Sequence, residues 1–272
     1  MKSVNFTKMV ASGNDFVIIA FLRYNTFLLK NIAKKICDRK RGVGADGLLF
    51  LEKSKIADIR MRIFNPDGSE AEMCGNGVRC AAFYYCYYIA DPKPYIIKIE
   101  TKAGVIESNV NRNNVRIKLT EPKRIKPDFS IKMGNRLLKV NFIDTGVPHT
   151  VIFVEGLEKI DIFNLGRKIR YHKSFSPHGT NVDFVEILDE SSIKIRTYER
   201  GVEEETLSCG TGAVASALFT ALRISFSMSN KINVYTRSGE ILKVYFKRVN
   251  DKFKDVYLEG KVRIVYKGVY YV

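Results

Sequence analysis

The chain has 272 residues, 46% hydrophobic and 27% charged, a profile that suits one large or two medium globular cores and excludes disordered, collagen-like and mucin-like readings. No apolar run reaches the roughly 18 residues of a bilayer crossing, and the segment MKSVNFTKMVASGNDF lacks the apolar core of a secretion signal. The net charge is +16, but residues 1–118 carry 20 Lys and Arg against 11 Asp and Glu and the rest 25 against 18, so the excess reads as a solvated surface and neither a nucleic-acid nor a membrane partner is expected.

In chain order, the strand FVIIA precedes a helical stretch at 26–40. GVGADG at 42–47 then fits the spacing of a dinucleotide-binding loop. It follows a basic helix and leads into the apolar run LLFLE, the reverse of the strand-to-helix context such a loop needs, so that reading is set aside. Strands GLLFL and DIRMRIF lead to a polar turn and a helix at 78–89, followed by YIIKIET and VRIKLT. Residues 120–135, with two prolines and little apolar content, read as a linker. Beyond it come VNFID, TVIFVE, a helix at 164–171, VDFVEI, IKIRTY, a helix at 213–223, and then KINVYT, ILKVYF and VRIVYK. Many β-branched strands and few helices make an α+β chain.

One pattern occurs twice. MRIFNPDGSEAEMCGNGVRCAAF (61–83) and IKIRTYERGVEEETLSCGTGAVASALF (193–219) each run from a strand through a Gly-containing turn to Cys-Gly-x-Gly and a small-residue helix. SGNDFVII and GTNVDFVEI form a second pair, with Asn14 and Asn181 just ahead of an Asp-Phe-Val strand. Two like-folded halves follow, each giving a similar element to one shared cleft.

Cys74 and Cys209 each stand at a helix start, where unpaired N–H groups and the macrodipole favour negative charge, so a lowered thiol pKa is expected. The amides of Gly75-Asn76 and Gly210-Thr211 would bind a carboxylate and stabilise the enolate-like charge left when its α-carbon loses a proton. A thiolate and a thiol on opposite faces of one carbon can invert a stereocentre with no cofactor. Cys37, Cys80 and Cys86 lie in apolar helical contexts and read as core. Five cysteines without a CxxC pair indicate thiols in a reducing compartment, hence a cytoplasmic protein, and Cys and His spacings suggest no metal.

Six blocks in order, KMVASGNDFVII, RGVGADGLLFL, FNPDGSEAEMCGNGVRCAA, TGVPHTVIFV, HGTNVDFVEI and YERGVEEETLSCGTGAVASA, resemble the diaminopimelate epimerase family of cofactor-independent amino-acid racemases. The resemblance implies two halves, 1–118 and 119–262, each a barrel-like sheet around a central helix, with the active site in the cleft between them and strand 263–272 returning to the first half. It implies a homodimer, a small amino-acid substrate, and Cys209 as base with Cys74 as acid in the LL-to-meso direction. By the same resemblance Asn14, Asn65, Asn181, Glu199 and Arg200 hold substrate, and His149 and Glu199 tune the cysteines. Two departures stand out: Val147 occupies the position of a substrate-contacting Asn, and the last block carries Glu203-Glu204 in a turn one residue longer than usual. A racemase for histidine, lanthionine or a proline-type ring, or a basic binding module without enzymatic activity, remains the alternative.

Overall fold

The computed structural model describes residues 3–21, 25–224, 230–250 and 252–271. The chain divides into two compact units, Met1–Lys118 with Gly260–Val272, and Leu119–Glu259. The first unit contains β1 (Ser3–Ala11), β2 (Asn14–Ala20), α1 (Thr26–Ile36), β3 (Gly47–Glu52), β4 (Ile59–Phe64), β5 (Glu70–Ala71), α2 (Gly75–Tyr88), β6 (Ile97–Thr101), β7 (Gly104–Asn111) and β8 (Asn114–Lys118). The second contains β9 (Lys123–Met133), β10 (Arg136–Asp144), β11 (Pro148–Phe153), α3 (Ile162–Arg170), β12 (Asn181–Asp189), β13 (Ser192–Glu199), β14 (Glu204–Thr206), α4 (Gly210–Arg223), β15 (Lys231–Tyr235), β16 (Ile241–Val249) and β17 (Lys252–Lys261). The last strand, β18 (Arg263–Tyr271), pairs antiparallel with β1.

The two units repeat one topology. In the first, β2 runs parallel to β3 and β4 parallel to β6, while β1–β2, β3–β4, β4–β5, β6–β7 and β7–β8 are antiparallel. In the second, β11 runs parallel to β12 and β13 parallel to β15, while β10–β11, β12–β13, β13–β14, β15–β16 and β16–β17 are antiparallel. Even the flanking strand has its counterpart, since β9 pairs with β10 as β18 pairs with β1.

Each unit keeps one helix inside its sheet and one outside. Strand β3 buries almost every residue because both of its faces are covered. With a period of two, Leu48 and Phe50 join the outer cluster with Leu29, Ile32 and Ile36 of α1, while Leu49 faces α2. In the second unit Val182 and Phe184 of β12 join Ile162 and Ile169 of α3. The inner helices are buried along most of their length. α4 reads GTGAVASALFTALR, mostly small residues, and is buried from Gly212 to Ala221. No helix of the described residues is long and apolar enough to cross a membrane.

The expected helices are present with shifted ends. α1 stops at Ile36, not at residue 40, because the Asp38 carboxylate captures the N–H groups of Lys40 and Arg41 and the chain turns. α2 and α4 begin three residues earlier than expected, directly after the cysteines. The expected linker at 120–135 is a strand instead: β9 pairs along β10 and seats Ile131 and Phe129 in the core cluster around α3. Pro122 precedes the strand, and Pro127 is tolerated because the ladder is irregular there, with register shifts opposite Val140–Asp144.

Tight packing of α3 gives a direct test. A Cβ on Gly166 would lie 2.5 Å from Cβ and 2.8 Å from Cγ of the buried Tyr198. Gly166→Ala should therefore destabilise the protein by about 1–3 kcal/mol through overpacking, despite alanine's better helix propensity. A midpoint of denaturant unfolding at or above wild type would contradict this packing.

Candidate active site

Two hairpins deliver the two cysteines. In the first unit Arg62 on β4 grips Glu70 on β5 with Nε–Oε1 2.8 Å and NH2–Oε2 3.1 Å. In the second Arg196 on β13 grips Glu205 on β14 with Nε–Oε1 2.7 Å and NH2–Oε2 2.8 Å. These paired forks fix each hairpin where it turns into the inner helix. Cys74 and Cys209 then have extended backbones (φ −144° and −118°), and their carbonyls accept the first helical bonds from Val78 (2.8 Å) and Ala213 (2.9 Å). Both thiols are thus N-caps, beside amides that have no partner within the helix. All five cysteines are thiols, and Cys37, Cys80 and Cys86 are buried core residues. Burial pushes Cys37 up to about 12, which makes it inert.

In the first unit the helix start meets Asn14. The Asn76 amide donates to Asn14 Oδ1 (2.5 Å), and Asn14 Nδ2 donates to Asp46 Oδ2 (3.1 Å). The fully buried Arg79 donates to Asn76 Oδ1 and, at 2.8 Å, to Ser12 Oγ. Behind Asn14, burial raises the Asp15 carboxyl, but hydrogen bonds and charge from Arg39 and Lys8 outweigh it and bring the value to about 2. Asn65 is held in its own turn, its amide donating 2.9 Å to Ser69 Oγ.

In the second unit Cys209 lies 3.4 Å from Thr211 Oγ1, which lies 2.9 Å from His149 Nε2. His149 Nδ1 lies 2.7 Å from Asp183 Oδ2, and Thr197 donates to Asp183 Oδ1 at 2.7 Å. His149 and Asp183 are completely buried. Gly212 is required here, since a Cβ would stand 2.3 Å from Asp183 Oδ1 and 3.3 Å from His149 Cε1. Asn181 donates to Pro148 O (3.0 Å) and accepts from the Arg200 N–H (2.8 Å), so it shapes the turn that carries Glu199 and Arg200. The Arg200 guanidinium bonds to His178 O at 3.4 Å and is half-buried. Val147 lies in the β10–β11 turn, where its carbonyl accepts from Thr145 N–H at 3.2 Å. The longer turn is absorbed by Glu203, which adopts a left-handed φ of 62° and anchors to Arg170 Nε at 3.1 Å.

Two expectations change. The Asn14 and Asn181 segments are not equivalent: Asn14 opens β2, whereas Asn181 opens β12, whose counterpart is β3. The cysteine segments do correspond. The Cys209 thiol is also not lowered; burial, with Glu199 and Asp183 nearby, pushes it well above the ordinary value, and Thr211 and the Gly212 amide only partly oppose this. A helix terminus contributes at most about 2 kcal/mol, whereas full burial moves a pKa by up to about 3–5 units. Glu199 is raised as well, chiefly by burial, with Thr206 and His149 opposing and Asp183 adding. The sequence reading did not single out Asp183, Thr197 or Arg79. For Asp183 the available signal was a carboxylate between Val182 and Phe184, at the start of an apolar strand.

Among the described residues no three His, Cys, Asp or Glu side chains gather as a metal site. The fold is that of known epimerases and related proteins. A phenazine biosynthesis protein of the PhzF family from Bacillus anthracis superposes with a TM-score of 0.78 at 20% identity, covering 100% of both chains. A hydroxyproline epimerase from Agrobacterium vitis gives 0.71 at 13% identity, covering 98% of this chain and 92% of its own. The family model described as diaminopimelate epimerase matches residues 6–125 and 141–265. The diaminopimelate epimerase of Aquifex aeolicus is 42% identical, covering 97% of each chain, and that of Methanocella arvoryzae is 40% identical, covering 98% of this chain and 97% of its own. The chain belongs to the diaminopimelate epimerase family.

The raised Cys209 thiol predicts slow alkylation near neutrality. In substrate-free protein, carbamidomethylation of Cys209, followed by peptide mass spectrometry, should rise only above the ordinary thiol midpoint of about 8.5. A midpoint below that value would contradict the dominance of burial.

Proposed function

We propose that the protein interconverts LL- and meso-diaminopimelate by a two-base mechanism in which Cys209 removes the α-proton of the LL isomer and Cys74 protonates the opposite face. The observation that carries this reading is the matched placement of two thiols, each capping a buried inner helix at the same topological point of two like-folded units. The amides of Gly75, Asn76, Gly210 and Thr211 suit the substrate carboxylate and the charge that develops at its α-carbon. Arg200 adds a planar fork for a carboxylate, and Asn14, Asn65, Asn181 and Glu199 complete the polar set around the zwitterion. A substrate ammonium entering near Glu199 and Asp183 offsets the carboxylates that hold Cys209 protonated. Val147 supplies no hydrogen bond from its side chain, so the distal end of the substrate relies on other groups.

The same reading carries with it a place in lysine and peptidoglycan-precursor biosynthesis and a cytoplasmic location. It also carries a homodimer, which the exposed Val265, Val269 and Tyr271 on one face of β18 would support.

The test is incubation in heavy water with LL-diaminopimelate and a panel of other L-amino acids, including histidine, lanthionine and proline, reading α-deuterium by mass spectrometry. Incorporation into diaminopimelate, with growth of the meso isomer, is the expected result. Exchange confined to another amino acid, or none at all, would overturn the assignment.

A further inference from the structure

Superposing strand orders and registers pairs the two units residue by residue. Leu49 faces Ile63 across β3–β4, and Asp183 faces Thr197 across β12–β13. Ile63 in turn pairs with Ala71, and Thr197 with Thr206, in the hairpins that lead to the cysteines. In the parallel ladders Phe16 pairs with Gly47, and His149 with Asn181. The glycines three residues after each cysteine confirm the match: a Cβ on Gly77 would meet Leu49 and Ile63, and one on Gly212 would meet Asp183 and His149. So the positions that hold Phe16, Leu49, Ile63 and Asn76 in the first unit hold His149, Asp183, Thr197 and Thr211 in the second. One inner helix starts over apolar residues. The other starts over a buried, continuous hydrogen-bond chain that ends on its cysteine.

The donors and acceptors of that chain are set from the carboxylate end. Asp183 accepts, from Thr197 at one oxygen and from His149 Nδ1–H at the other. An imidazole that carries its single proton on Nδ1 can only accept at Nε2, and in that tautomer Thr211 O–H donates to it. The Thr211 oxygen then accepts from the Cys209 thiol. Reversing the last two bonds gives the same number of protons in a different arrangement, with imidazolium, hydroxyl and thiolate in line.

We propose that Cys209 exchanges its proton with His149 through the Thr211 hydroxyl, and that Asp183 is a positioning residue that fixes the His149 tautomer and carries the counter-charge. The S–H bond of Cys209 breaks as an O–H bond forms at Thr211. The original Thr211 O–H breaks as N–H forms at His149 Nε2. The products are a thiolate, an intact hydroxyl and an imidazolium beside the Asp183 carboxylate, and no proton leaves the protein. The chemical class served is proton transfer at an α-carbon, and this deepens the two-base reading, on which it rests, by giving the second-unit thiol an internal proton store.

Asp183 can act on Cys209 in two ways of opposite sign. As a bare negative charge it opposes the thiolate. As the partner of an imidazolium 2.7 Å away it favours the thiolate–imidazolium pair. The groups that titrate around Cys209 are His149 on β11, Asp183 on β12 and Glu199 on β13, while Thr145 and Thr206 approach from the β10–β11 turn and β14.

The experiment measures carbamidomethylation of Cys209 and Cys74 against pH, without substrate, in wild type, Asp183→Asn, Thr211→Val and Thr211→Ser. The relay predicts that Asp183→Asn and Thr211→Val move the Cys209 midpoint upward by at least one pH unit, read as at least tenfold slower modification at a fixed pH. Thr211→Ser should stay near wild type, and the Cys74 profile should not move in any variant. A downward or absent shift in Asp183→Asn, or a Thr211→Val profile like that of wild type, overturns the relay. The heavy-water panel tests the function separately, so a protein that exchanges diaminopimelate while these midpoints stay put refutes the relay alone.

Discussion

A cysteine capping a helix that lies inside a sheet is the constraint on which the rest of the structure depends. The helix must be slim to fit, so α2 and α4 carry small residues at their starts. Strands cover it on many sides, and those that also carry the outer helix, such as β3 and the start of β12, are buried on both faces. The turn into the helix must be rigid, so an Arg–Glu fork ties the preceding hairpin in each unit. Gly212 answers the same demand, since a Cβ there would collide with Asp183, and Gly77 leaves only tight room above Leu49.

Burial and reactivity pull in opposite directions at such a thiol. The unpaired amides favour a thiolate, but removal from water opposes it more strongly, and at Cys209 two carboxylates add to the opposition. The second unit meets this with a polar chain under the helix, all of it hydrogen-bonded, which a buried network must be to avoid a large penalty. The first unit meets it differently, with a half-buried Cys74 and an asparagine pair locked by Arg79 and Asp46. The two units share one topology, but the groups beneath their inner helices differ.

Much of the candidate site was legible in sequence because its signals are local. Cys-Gly-x-Gly followed by a small-residue helix names both the thiol and the turn, and it occurs twice. Strand content was legible wherever β-branched runs were dense. β1, β7, β9 and β17 escaped because polar and charged residues alternate along them, and the two prolines in and beside β9 imitated a linker. Asn14 and Asn181 looked alike because a short motif resembles another regardless of strand order, and pairing alone separates them. Asp183 was hidden for a different reason. Its role comes from partners 34 residues before it and 14 after it, which no window on the sequence connects.

Stereospecific exchange in single mutants tests most directly the proposal that two thiols serve opposite faces of one carbon. Cys74→Ala and Cys209→Ala would each be given LL- and meso-diaminopimelate in heavy water, with deuterium at each α-carbon and isomer composition followed together. Loss of a positioned acid or base costs about 10²–10⁴-fold, so epimerisation should nearly vanish in both. Any residual exchange should favour opposite stereocentres in the two mutants, because each keeps the thiol on one face. Near wild-type epimerisation in either mutant, or the same stereochemical preference in both, would contradict the two-base account.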